Sequence, residues 1–273
     1  MKVYISSDIE GCAGIVDWDQ VLPGRSDYEL GRRLLLGEVN AAIEGAVAGG
    51  ATEIVVNDSH HRMANLDPEQ LAQPASYISG HNKPLYMMEG LDRSFDAAFF
   101  VAYHGAIDGP PAVLSHTYNP AAIAGATLNG TLTGESGINA LVAAAFDVPI
   151  VLITGDDVTA KQAEPFMPDA EKAVVKHSIS RSAAHSLHPD AARALIRDSA
   201  QRALENADGM SVPSIDQPAR LELTFLDADF AELAQRLTAV ERTDTRRISI
   251  LNDDLLQLYR DFVTLISLTR SLV

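Results

Sequence analysis

Short apolar runs and helical stripes take turns along the first half of the chain. Val3 to Ser7 is a short apolar segment that enters a glycine-rich turn, Glu10-Gly11-Cys12-Ala13-Gly14. Between Tyr28 and Ala48 the apolar positions Leu34, Leu35, Val39, Ala42, Ile43 and Val47 recur at three- and four-residue spacing. That period predicts a helix, and Gly49-Gly50 ends it. Glu53 to Asn57, with Ile54-Val55-Val56 at its centre, predicts the next strand. Strand, helix and strand in this order form the unit of a parallel sheet. Ala97 to Tyr103 is apolar without a break, as a strand covered on both faces requires. Asn129-Gly130 marks a two-residue hairpin between Ala126-Thr127-Leu128 and Thr131-Leu132-Thr133. Ser136 to Phe146 predicts a helix, and Ile150 to Thr154 a further buried strand.

The texture changes after about residue 168. Ala173 to Lys176, Arg220 to Phe225 and Arg247 to Leu251 read as strands. Pro189 to Asn206 reads as a helix with Pro189 in its first turn, and Phe230 to Leu237 as a short one. Asp253 is the expected cap of a last helix with Leu255, Leu256, Tyr259, Phe262, Val263 and Ile266 on one face. The fold expected is α/β: a mostly parallel sheet flanked by helices over residues 1–168, then a smaller α+β domain over 169–273.

Composition narrows the partners. The 273 residues carry 21 Lys plus Arg against 37 Asp plus Glu, a formal charge of -16, which repels nucleic acid and anionic membrane surfaces. No apolar run approaches the roughly 20 residues that span a bilayer. Cys12 is the single cysteine, so no intramolecular disulfide forms and no oxidising compartment is implied. Asp8 and Glu10 arrive before any signal-peptide apolar region could form, and a soluble cytoplasmic protein is expected.

In open α/β sheets ligands gather beyond the carboxyl ends of the strands. The first strand delivers Asp8 and Glu10 there, the second Asp58 and His60, the next His104. The hairpin leads to Glu135, and the last strand of the set to Asp156 and Asp157. Carboxylates and imidazoles together suit Zn²⁺ or Mn²⁺, and a carboxylate can bridge two such ions in a hydrolytic site. Asp8, nearest its strand end, is the bridging candidate. Structural roles compete: turn or cap residues for Asp8 and Glu10, a core histidine for His104, a helix-dipole partner for Glu135. His60 is preferred to its neighbour His61, and Asp156 and Asp157 read as capping residues. His116 is an acid/base group or a loop histidine; His81, His177, His185 and His188 read as surface or structural. The chain has no His-Glu-x-x-His, no P-loop and no GxGxxG.

Ordered pieces of the chain carry a resemblance. Ser6-Ser7-Asp8-Ile9-Glu10-Gly11, Val56-Asn57-Asp58-Ser59-His60, Met88-Glu89-Gly90-Leu91-Asp92, Tyr103-His104, Ser115-His116, Gly134-Glu135-Ser136-Gly137-Ile138-Asn139-Ala140, Gly155-Asp156-Asp157 and Ile179-Ser180-Arg181-Ser182-Ala183 resemble the DppA-type zinc D-aminopeptidases of bacterial dipeptide-transport operons. The resemblance implies two Zn²⁺ ions bridged by Asp8, with Glu10 and His104 on one and His60 and Glu135 on the other. It implies that His116 is the catalytic nucleophile or base. It also implies short peptide substrates with an N-terminal D-amino acid, such as D-Ala-D-Ala, and a ring-shaped homodecamer. His61 departs from the family's pattern and raises a ligand swap with His60. Gly105 to Val113 departs as well. A hydrolase of another amide or a phosphoester bond, or a non-catalytic metal- or peptide-binding protein, is the alternative.

Overall fold

The computed structural model describes residues 1–272. Twelve strands and six α-helices build it. The main sheet holds β1 (Lys2–Ser7), β2 (Glu53–Asp58), β3 (Ser76–Ile78), β4 (Ala97–Tyr103), β7 (Ile150–Asp156), β8 (Glu171–Ser180) and β9 (Ala183–Ser186), in the order β3-β2-β1-β4-β7-β8-β9. All its pairings are parallel except the hairpin of β8 with β9. A smaller antiparallel sheet runs β11 (Val240–Asp244), β12 (Arg247–Asn252), β10 (Ala219–Phe225), β5 (Ile123–Leu128) and β6 (Thr131–Leu132).

Helices α1 (Tyr28–Ala48) and α4 (Pro189–Glu205) cover one face of the main sheet. Helix α2 (Glu135–Phe146) and α6 (Leu255–Thr269) lie between its other face and the small sheet, with α5 (Ala228–Ala234) packed on the latter. Helix α3 (Asp157–Ala163) follows β7. Strand β4 shows why its sequence is apolar at every position. Ala97, Phe99 and Val101 enter the core under α1 and α4, whereas Ala98, Phe100 and Tyr103 enter the core shared with α2 and α6.

The expected fold class is the one found. Residues 1–168 and 169–273 do not map one to one onto the two sheets. β8, β9 and α4 belong to the main layer, and β5 and β6 belong to the small sheet. The last helix is capped by Asp254, one residue beyond Asp253, because the Asp254 carboxylate accepts from the Leu256 and Gln257 N–H groups. Short β3 and β9 and polar β11 carry no apolar run long enough to mark them in advance.

The strand order reverses between β1 and β4: β2 lies on one side of β1 and β4 on the other. A switch point of this kind opens a crevice beyond the strand ends. The turn after β1 packs hard against β4. A Cβ on Gly11 would stand 2.1 Å from the Tyr103 carbonyl oxygen, so only glycine fits there.

Candidate metal centre

Six ionisable side chains meet at this crevice, all buried: Asp8, Glu10, His60, His104, His116 and Glu135. They form two triads. Asp8, Glu10 and His60 make one, and His104, His116 and Glu135 the other, each with donor atoms within 4.8 Å of one another. His60 Nδ1 lies 3.2 Å from Asp8 Oδ1 and 3.1 Å from Glu10 Oε2. His104 Nε2 lies 3.3 Å from Asp8 Oδ2 and 3.5 Å from Glu135 Oε1. The two oxygens of Asp8 therefore face different triads. His116 Nε2 is 3.6 Å from Glu135 Oε1, and its ring stacks on His104 at 4.1 Å.

Glu10 sits with His60, and His104 with Glu135. The register explains it: Ser7 pairs with Asp58 on adjacent strands, so the turns after β1 and β2 emerge side by side. Glu135, the first residue of α2, arrives from the far layer beside β4. His61 belongs to neither triad. It is exposed, turned away by a left-handed backbone (φ 51°), and shares only a tilted ring contact with His60 at 6.0 Å.

Each histidine is aimed by a backbone carbonyl. His60 Nε2–H donates to Val21 O (2.8 Å), His104 Nδ1–H to Gly105 O (3.0 Å) and His116 Nδ1–H to Leu114 O (2.9 Å). In each case the other ring nitrogen faces the triads, as a metal-directed imidazole requires. Glu135 Oε1 accepts from the Tyr118 N–H at 2.7 Å. Asp58 is not a donor here; its carboxylate accepts from Asn65 and Leu66 N–H and fixes the loop after His60. Asp156 caps α3 through the Thr159 N–H and accepts from Ser178 Oγ.

Several residues quoted in the motifs work as scaffold. Met87 O accepts from Ser6 Oγ, Ser59 Oγ and Asn57 Nδ2, tying the ends of β1 and β2 to the segment before Met88-Glu89-Gly90. Asn139 Nδ2 donates to Tyr103 OH, which pairs with Ser6 Oγ. Arg181 holds the His116 loop at two points: its carbonyl accepts from Leu114 N–H, and its Nε donates to Ser115 O. Lys176, which sequence reasoning placed only on a strand, is buried and donates to Glu10 O, Cys12 O and Ile15 O.

Backbone strain collects here. His61, Met63, Tyr86, Ala102, Leu114 and Tyr118 are all non-glycine residues at positive φ. Ala102 precedes His104, Leu114 orients His116, and Tyr118 holds Glu135. Such conformations cost about 1–2 kcal/mol each.

Charge and hydrogen bonding show what the triads need. Asp8 Oδ2, both Glu10 carboxylate oxygens and His104 Nε2 are buried without a hydrogen-bond partner among the described residues. Burial, then the charge of Glu10, raises Asp8 to about 8. Burial opposes a charged His104, yet Glu135 and Asp8 raise it to about 10. Burial and His104 together push His116 below its ordinary value. Desolvated charges that face one another with orphaned lone pairs cost several kcal/mol per ion. Cations held by these donors would remove that cost. Donors around a tetrahedral ion bound at about 2.0–2.2 Å stand roughly 3.3–3.6 Å apart, which is close to the spacings above. Three carboxylates with three imidazoles and no thiolate suit Zn²⁺ or Mn²⁺ better than Ca²⁺, Mg²⁺ or Cu(I).

Above the triads lies a cavity of about 420 Å³, within the size range of small-ligand sites. Trp18, Leu22 and Tyr86 give it an apolar wall; Arg62, His81 and Arg270 also line it. His81, read from sequence as surface or structural, is exposed at this wall. No sequence signal singled out Trp18, Tyr86, Tyr118 or Arg270.

Twin carboxylate–imidazole triads at the switch point of a parallel sheet define a metallohydrolase class of site. The chain matches the D-aminopeptidase family of peptidases (M55) over residues 1–264, and it belongs to that family. It is 38% identical over 274 residues to a D-aminopeptidase of Bacillus subtilis (strain 168), covering 98% of this chain and 97% of the relative. Its structure matches the Zn-dependent D-aminopeptidase DppA from Bacillus subtilis, described as a self-compartmentalizing protease. That match has a TM-score of 0.94 at 36% identity, over 99% of this chain and 98% of the other.

Proposed function

We propose that the protein is a two-zinc aminopeptidase that hydrolyses short peptides with an N-terminal D-amino acid, such as D-Ala-D-Ala. The carrying observation is the pair of buried triads with orphaned donor atoms, three of them on Asp8 and Glu10. In this reading Asp8, Glu10, His60, His104 and Glu135 would hold the two ions between them, Asp8 facing both triads. When bound, the ions would supply Lewis-acid polarisation of the scissile carbonyl and activate water at neutral pH.

The chain's own groups do the rest. His116 keeps Nδ1–H on Leu114 O, so its Nε2 lone pair faces the reacting centre. It takes a proton from the attacking water and returns it to the leaving amine, as general base and then general acid. Its stack on His104 and the Arg181 contacts to its loop fix that orientation. Trp18 and Leu22 shield the triads from bulk water and receive the substrate side chain.

The self-compartmentalizing character of the Bacillus subtilis relative supports a homo-oligomeric ring, a decamer by resemblance, for this chain. Sedimentation of the full chain as a monomer would overturn that part. No described helix is long and apolar enough to cross a membrane. A buried, unpaired Cys12 fits a reducing compartment, and we place the enzyme in the cytoplasm on that account. Its recovery from an extracellular fraction would contradict the placement.

Zinc quantification, paired with hydrolysis of D-Ala-D-Ala, L-Ala-L-Ala and a generic phosphoester before and after chelation, tests the activity. The expected outcome is two zinc ions per chain and cleavage of the D-dipeptide alone, lost on chelation. A metal-replete protein that leaves the D-dipeptide intact sinks the proposal.

A further inference from the structure

We infer that Arg270 is a subsite for the terminal carboxylate of the substrate peptide, so that the cavity reads the chain end as well as the scissile bond. The inference rests on the peptidase reading above and deepens it. Arg270 begins the turn after α6, beyond residues 1–264 that match the family. It is exposed at the cavity wall. Its place there is nevertheless fixed. The guanidinium lies over the Tyr86 ring, 5.3 Å from its centroid, and Nη2 donates to the Tyr86 hydroxyl.

Tyr86 is itself buried and held at φ 47°, and its ring stacks on Tyr118 at 5.6 Å with planes 27° apart. The Tyr118 N–H then binds Glu135. Arg270, Tyr86 and Tyr118 thus form a continuous chain of contacts that ends on Glu135 of the second triad.

The chemistry of that end of the cavity differs from that of its floor. The floor gathers Asp8, Glu10 and Glu135, whereas the wall presents a fork of guanidinium donors, of which Tyr86 takes one. A fork of this shape matches a carboxylate with two parallel N–H···O bonds. A dipeptide bound with its scissile amide at the triads carries its one free carboxylate at the other end, toward Arg270. A longer peptide presents an uncharged amide at that point and gains less. Arg270 therefore selects chain-end carboxylates and biases the enzyme toward the shortest peptides.

The test uses full-length, zinc-loaded protein and two uncleavable probes. One is D-Ala-D-Ala with its amide replaced by CH₂–NH, and the other is the same compound with a C-terminal carboxamide. Calorimetric titration should show the free acid binding about tenfold more tightly than the carboxamide, the scale of a solvent-exposed charge-assisted pair. Arg270→Gln should abolish that preference while leaving carboxamide binding unchanged, and Arg270→Lys should keep part of it. A wild type without the preference, or with no binding of either probe, overturns the inference. So does an Arg270→Gln protein that keeps the preference, or that weakens both probes equally through loss of the Tyr86 contact. Turnover of D-Ala-D-Ala by wild type is read separately, so failure of the peptidase reading and failure of the carboxylate subsite are distinguishable.

Discussion

The two triads are assembled by different means. Asp8, Glu10 and His60 stand at the ends of adjacent parallel strands, and the Ser7–Asp58 pairing of β1 with β2 alone brings their turns together. His104, His116 and Glu135 need three separate placements. His104 follows the bulged end of β4. His116 sits on a loop held by Arg181 from the β8–β9 turn. Glu135 opens α2, delivered by the β5–β6 hairpin of the small sheet. The first triad is a consequence of one sheet's register, whereas the second exists only when both layers and the loop are packed. Asp8 is common to them, one oxygen toward each.

The largest effect should come from breaking that shared point. Asp8→Ala should lower kcat/KM on the order of 10³–10⁴-fold, the scale for a residue acting as part of a unit. Zinc measured after dialysis should fall at both positions. Loss of one ion with the other retained at full occupancy would show that Asp8 does not bridge. His116→Ala sharpens the contrast next. It should lower kcat about 10²–10⁴-fold, the contribution of a general base, with two zinc ions retained. If one ion leaves instead, His116 is the third donor of the second triad, and the base must be sought elsewhere.

The same difference decides what could be read from the sequence. Asp8, Glu10 and His60 were legible because each follows a strand whose apolar run is unmistakable, and parallel strands deliver their ends to one edge. His104 was legible for the same reason. Glu135 carried a weaker signal, since a carboxylate opening a helix is equally at home beside the helix dipole. Which of these side chains stand in contact was not legible at all. It depends on which turns stand side by side, and that follows from strand order, which no local pattern encodes. Tyr86, Tyr118 and Arg270 reach the cavity only through the packing of α2 and α6 between the sheets. Lys176 looked like an ordinary strand residue because its partners are backbone carbonyls, which leave no mark in a sequence.

The smallest expected effect lies beneath the first triad alone. The Gly11 to Ile15 turn is supported from below by Lys176 and by Glu38, whose Oε1 accepts from Ala13 N–H at 2.8 Å. Burial raises Glu38 from 4.5 to about 7, against the pull of Ala13 N–H and Lys176. Between those two values the folded protein keeps a proton that the unfolded chain has released. Stability contributed by this group is therefore complete below about 4.5 and declines as pH rises toward 7. Glu38→Gln keeps an oxygen for Ala13 and removes the ionisation. Urea unfolding of both proteins at pH 5 and pH 8 isolates the effect, because zinc-linked ionisations are common to the two and cancel in the difference. Relative to wild type, the variant should gain about 2–3 kcal/mol on going from pH 5 to pH 8, because each tenfold change in proton affinity is worth about 1.4 kcal/mol. An unchanged difference between the two pH values would mean that Glu38 is already ionised in the fold. The turn under the first triad would then rest on a buried charge pair with Lys176, and the two triads would differ less in their support than in their assembly.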